Sequence, residues 1–99
     1  MIDYSQFNGL TPAESERLYI LLEELGEAQQ AIGKILRHGY FSSHPKGGGY
    51  NNKEQLEKEL GDVYHAIIRL CEADDLDKKE IHEAALEKEK SIIKYLHHQ

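Results

Sequence analysis

Glu24 and Glu27 stand three residues apart, and so do Glu59 and Asp62. On a helix that spacing sets both carboxylates of a pair on neighbouring positions of one side. Two such helices facing each other present an oxygen-only donor set, which suits a hard divalent cation such as Mg²⁺ or Mn²⁺. Spacing alone is a weak signal, because Glu54/Glu57, Glu72/Asp75 and Asp77/Glu80 repeat it. The face each pair occupies separates them. Stepping 100° per residue, Glu24 falls about 20° beyond Ile35 at the edge of the first apolar arc, with Glu27 about 60° further out. Glu59 falls between Ala66 and Leu70, inside the second arc, and Asp62 lies about 40° from Ala66. Glu54 and Glu57 point away from that arc and suit the first turn of a helix, where the dipole favours acids.

Missing cations separate the pairs a second time. Glu24, Glu27 and Glu59 have no Lys or Arg at i±3 or i±4, and Asp62 has only Lys58. Acids on a solvated face usually alternate with Lys, as Lys79/Glu83 and Glu87/Lys90 do. Carboxylates left at an apolar interface without partners are costly, and a bound cation removes that cost. The competing account is that these acids face water at the edge of a bundle.

Long amphipathic helices must position these groups. Thr11-Pro12-Ala13-Glu14 is a helix start with a capping box, and Gly39 is a stop after His38. The apolar residues Leu18, Leu21, Leu22, Leu25, Ala28, Ile32, Ile35 and Leu36 predict a helix over about 12–38, roughly 40 Å long. Gly26 and Gly33 lie nearly on one strip of it and point to close helix packing. Asn52, with Gln55 three residues on, predicts the cap of a second helix over about 53–73. Asp77, with Glu80, predicts a third helix to about residue 97, burying Ile81, Ala84, Ala85, Ile92, Tyr95 and Leu96. The expected fold is all-α, a single domain over 1–99. Three such helices leave faces uncovered, so oligomerisation would complete a four-helix-type bundle.

Composition narrows the partners. Twelve Lys+Arg against 18 Asp+Glu give a net charge of −6 with His neutral. That balance argues against nucleic acid, which needs a basic face. No apolar run approaches the roughly 18 residues that span a membrane, so no membrane partner is expected. Met1 to Leu10 lacks the basic and apolar pattern of a signal peptide, which makes the cytoplasm the expected location. The single cysteine, Cys71, excludes an internal disulfide and has no histidine beside it to make it a nucleophile.

The runs Glu23-Glu24-Leu25-Gly26-Glu27 and Glu59-Leu60-Gly61-Asp62 resemble the paired signature of the MazG-like all-α nucleoside triphosphate pyrophosphohydrolases. Their flanks, Ala31 to Gly39, Asn52 to Glu54 and Glu87 to His98, resemble the compact single-domain members found in phages and bacteria. The resemblance implies Mg²⁺ held by Glu24, Glu27, Glu59 and Asp62. It also implies cleavage of nucleoside triphosphates between the α and β phosphates, to a monophosphate and pyrophosphate, in nucleotide-pool housekeeping. Glu27 or Glu24 would take the proton of the attacking water. The family often has one more helix, which favours a homodimer or homotetramer here. The spacer between the two motifs is longer than is usual in the family, the extra length being the glycine-rich loop 39–52.

Other residues complete the candidate site. Lys34 lies about 20° from Glu27 on its helix, and with Arg37 would meet the triphosphate. Lys88, about 20° from Ile81 on the third helix, would reach a phosphate, or else snorkel from an apolar stripe. In the loop, Lys46 and the glycines would approach a phosphate, and Tyr40, Phe41 and Tyr50 would stack on a base or pack on the bundle. His65 follows Asp62 by three but points away from the apolar stripe, so it is expected to be exposed. Were it a ligand, a redox di-iron bundle would be the model. Two further alternatives are a phosphoribosyl-ATP pyrophosphatase of the same superfamily and a non-catalytic helical dimerisation module.

Overall fold

In the computed structural model, which describes residues 7–43 and 49–99, Thr11 opens the first helix as its neighbours predict. The Glu14 N–H donates to Thr11 Oγ1 at 3.1 Å and the Thr11 N–H donates to Glu14 Oε1 at 2.8 Å, a reciprocal capping box. Helix α1 runs Pro12–His38 and ends at Gly39, where φ is 85° and the N–H donates to Ile35 O at 2.7 Å. A residue with a Cβ is disfavoured at that angle. Thr11→Ala removes one acceptor from the box and is expected to lower stability by about 1 kcal/mol, with Thr11→Ser close to wild type. Urea denaturation midpoints check both.

Helix α2 runs Asn52–Glu72 and corrects the expected cap by one residue. Asn51 is the cap. Its Oδ1 accepts from the Glu54 N–H at 2.8 Å and its own N–H donates to Glu54 Oε1 at 3.1 Å. Asn52 is engaged elsewhere: its Nδ2 donates to Gly39 O at 3.0 Å and its N–H to Ser42 O at 2.9 Å. These bonds tie the end of α1 to the start of α2. They also leave Gln55, the expected box partner, free for another role.

Helix α3 runs Lys78–Ile92 and is followed by a 3₁₀ turn, Ile93–Tyr95. Asp77 caps it by accepting from the Lys79 N–H at 2.9 Å, without the expected contribution of Glu80. The turn before it holds Asp74 at φ 60° and is closed by the Asp75 N–H donating to Leu70 O at 2.9 Å. Arg17 grips Asp75 with both Nε and Nη2, which joins the first turns of α1 to this turn.

The core lies between α1 and α2, where Ala28 and Ala31 meet the helix carrying Val63, Ala66 and Leu70. Leu70 is 0% exposed. Two alanines on α1 let the backbones approach closely. The expected buried face of α3 is not found: no residue of that helix is buried, and Ile81, Ile92, Tyr95 and Leu96 are all exposed. Apolar residues at helical spacing need a surface to meet, and the buried residues lie on α1 and α2, with none on α3. The close packing expected at Gly26 and Gly33 is likewise absent, since a Cβ at either meets nothing within 4 Å among the described residues. Leu22 and Leu36 are 66% and 81% exposed.

The described residues form an all-α structure with no strand, and none of their helices is long and apolar enough to cross a membrane. Met1–Gln6, most of the segment read for a leader, and Lys46, Gly47 and Gly48 of the loop lie outside the described residues.

Candidate functional site

Glu24 and Glu27 of α1 meet Glu59 and Asp62 of α2. One carboxylate oxygen from each lies within 4.8 Å of all the others. The local cause is the packing just described. Ala28 and Ala31 follow the α1 pair and Val63 and Ala66 follow the α2 pair, and all of these small residues are buried in the contact between the helices. Small side chains at that contact bring the two carboxylate edges together.

Burial is uneven across the cluster. Glu59 is 7% exposed, while Glu24 and Asp62 are half-buried. Glu59 Oε1 accepts from Gln55 Nε2 at 2.6 Å. Glu59 Oε2 and Glu24 Oε2 are buried and have no hydrogen-bond donor among the described residues. An acceptor in that position has lost its water and gained nothing in return. The only ammonium at the cluster among the described residues is that of Lys58, whose Nζ lies 3.0 Å from Asp62 Oδ2 and 3.9 Å from Glu59 Oε1. It is held above the ordinary lysine value, first by its hydrogen bond to Asp62 and then by the Asp62 and Glu59 charges. One half-exposed ammonium leaves the four carboxylates well short of neutral.

That excess shows at Glu27. Its carboxyl is raised above the ordinary glutamate value, first by the Glu59 side chain standing as hydrogen-bond partner to the protonated form, then by the Glu24 charge. Like charges crowded together hold a proton that an isolated carboxylate would release. The oxygen-only donor set, the two orphaned oxygens and the raised Glu27 all fit a hard divalent cation among these residues.

Beside the cluster is an open hollow of about 220 Å³ lined by Glu27, Gln30, Ala31, Lys34, Gln55 and Glu59. Lys34 therefore stands where its helical position predicts, near Glu27. Arg37, one turn further, is exposed and does not line the hollow. Lys88 does not line it either. Its helix stands off α1 and α2, so the interior stripe position inferred for it is exposed surface. His65 is exposed, as its angle predicts. Of the loop aromatics, Tyr40 and Phe41 touch each other at a 6.4 Å ring separation and Tyr50 is exposed. Glu57 pairs with Lys53 at 3.5 Å, an ordinary surface contact.

Two contacts escape the sequence reasoning. Lys58 reaches Glu59, its immediate neighbour, which a search at i±3 and i±4 passes over. Gln55 lies four residues before Glu59, a spacing that puts them on one side of α2. The same residue also fits a capping box with Asn52 by spacing, which hides this signal.

A family model described as the MazG nucleotide pyrophosphohydrolase domain matches residues 13–96. No curated protein and no solved structure matches the chain.

Proposed function

Since the chain belongs to the MazG nucleotide pyrophosphohydrolase family, we propose that it hydrolyses nucleoside triphosphates between the α and β phosphates, giving the monophosphate and pyrophosphate. One observation carries the reading. Carboxylates from two facing helices converge within 4.8 Å, and two of their buried oxygens have no donor among the described residues. Glu24, Glu27, Glu59 and Asp62 would hold Mg²⁺ or, in its place, Mn²⁺. Bound there, the cation would neutralise triphosphate charge and make a water more acidic.

The chain's own groups do the rest. Glu59 and Asp62 of α2 bring negative charge to the shared point. Glu27, at the hollow, would accept a proton from the attacking water, with Glu24 beside it as the second candidate base. Lys34 lines the same hollow and supplies a cation to the phosphates. Arg37 and Lys88 are weaker candidates for that task, since neither borders the hollow. For an enzyme acting on free nucleoside triphosphates the cytoplasm is the expected location, and a net charge of −6 disfavours nucleic acid as a partner.

We further read the working form as a homodimer or homotetramer. The support is the exposed apolar surface of all three helices and an α3 that buries none of its own residues. A second copy supplies the surface that a single chain lacks.

The test of the reaction is pyrophosphate release from a panel of ribo- and deoxyribonucleoside triphosphates, with Mg²⁺ and with EDTA. Monophosphate and pyrophosphate in equal amounts, formed only with the metal, support the proposal. No turnover of any triphosphate, together with no change in melting temperature on adding Mg²⁺ or Mn²⁺, leaves a non-catalytic helical module instead.

A further inference from the structure

Glu59 is the one charged residue buried among the described residues, and one side chain donates to it at short range. Gln55 Nε2 stands 2.6 Å from Glu59 Oε1, across one turn of α2. Gln55 is itself half-buried and lines the hollow beside the cluster. We propose that Gln55 is a positioning residue for the metal: its amide holds one oxygen of Glu59 and fixes the carboxylate so that the other stays available to a cation. The inference rests on the metal site proposed above and adds a residue outside the four carboxylates.

Three observations support the assignment. The bond occupies Oε1 and leaves Oε2 buried without a donor, so the two oxygens of one carboxylate have different duties. The donor is a neutral amide. It turns the carboxylate without supplying the proton or the positive charge that would compete with a metal ion. Lys58 differs on that point, since its ammonium contacts Asp62 directly at 3.0 Å and brings a positive charge of its own. Last, the capping task that Gln55 would otherwise perform belongs to Glu54, whose box with Asn51 is complete. Groups that orient a metal ligand typically change metal affinity by about 10–100-fold when removed.

A structural role alone would have a different signature. If Gln55 only compensated for the burial of Glu59, its loss would lower the melting temperature of the metal-free protein and leave metal affinity untouched. The experiment is a Mn²⁺ titration followed by electron paramagnetic resonance on the full chain without substrate, with the metal-free melting temperature measured in parallel. Gln55→Met keeps the length and removes the donor. It is expected to raise the Mn²⁺ dissociation constant about 10–100-fold. In a Glu59→Gln background the same change is expected to add less than about twofold, because the two residues act as one unit. Gln55→Asn keeps the amide but draws it back by one methylene. It should weaken Mn²⁺ as Gln55→Met does, and it serves if Gln55→Met fails to fold. Wild-type Mn²⁺ affinity in either folded variant overturns the inference and leaves the metal site standing. A wild-type chain that binds no Mn²⁺ overturns both.

Discussion

Glu59→Gln is expected to lower kcat/KM for metal-dependent triphosphate hydrolysis by about 1,000-fold or more while leaving the metal-free protein at least as stable as wild type. The two halves of this expectation have separate causes. The substitution replaces one buried oxygen by an NH₂ group and removes one charge. Its remaining carbonyl oxygen can still accept from Gln55, so the bond at 2.6 Å survives. The new NH₂ takes the place of an oxygen that has no donor, and it faces carboxylates that accept. Crowding is therefore relieved in the absence of metal. The catalytic loss comes from the same change. A cation held by anionic oxygens contributes several kcal/mol to stabilising charge in the transition state, and about 4 kcal/mol is a thousandfold in rate. Pyrophosphate release, the metal-free melting temperature and its rise on adding Mg²⁺ measure the three parts. A variant with a tenth of wild-type activity and an intact Mg²⁺ response would remove Glu59 from the centre of the site.

Glu27→Gln is the second large effect, with activity expected to fall about 1,000-fold if Glu27 acts as the base. Its pH signature is distinct. The folded-state carboxyl is raised above its unfolded value, first by the Glu59 side chain and then by the Glu24 charge. Between the unfolded and folded values the native chain binds the proton that the unfolded chain has released. Stability from this group is therefore fully present below the unfolded value and is lost as the pH rises through the folded one. Metal affinity runs the opposite way, because the proton and the cation compete for the same oxygens, so the Mg²⁺-induced rise in melting temperature shrinks on acidification through that window. In Glu27→Gln both trends are expected to flatten, and the metal-free protein at neutral pH is expected to melt higher than wild type. Melting curves across the carboxylate range and up to neutral pH, with and without Mg²⁺, show all of this in one set of measurements.

Much of this geometry is legible in the amino-acid sequence. The Thr11-Pro12-Ala13-Glu14 start and the Gly39 stop define α1 because each residue has a local reason to be there. Stepping around the helices separated Glu59 from Glu54 and Glu57, since burial on a helix follows its angle. The rest was hidden because tertiary contacts decide it. Two asparagines stand side by side at the start of α2, and the reciprocal bonds of Asn51 with Glu54, with Asn52 turned to Gly39 O, show which one is the cap. Gln55 fits a cap or a carboxylate partner equally well by spacing, and the shift of the cap assigns it to Glu59. The apolar stripe of α3 announces a face that needs covering. It does not say whether the cover lies in the same chain, and the interior that its stripe implies for Lys88 is one that α1 and α2 do not provide.

The exposure of α3 has a consequence for how the molecule responds to dilution. A helix of 15 residues held by an Asp77 cap and by the Lys79–Glu83 and Glu87–Lys90 pairs has little but local support. Isolated helices of about that length are marginal in water. The backbone around Leu70, which is 0% exposed, is expected to exchange its amide hydrogens only when the whole α1–α2 unit opens. The backbone of α3 is expected to open by itself, and in the proposed homo-oligomer mass action on its cover would set how often. Deuterium uptake in α3, followed against protein concentration, would thus report on the proposed assembly without label or mutation, with the α2 core as its internal clock. Uptake that falls as concentration rises is expected, and uptake that ignores concentration speaks against a covering copy.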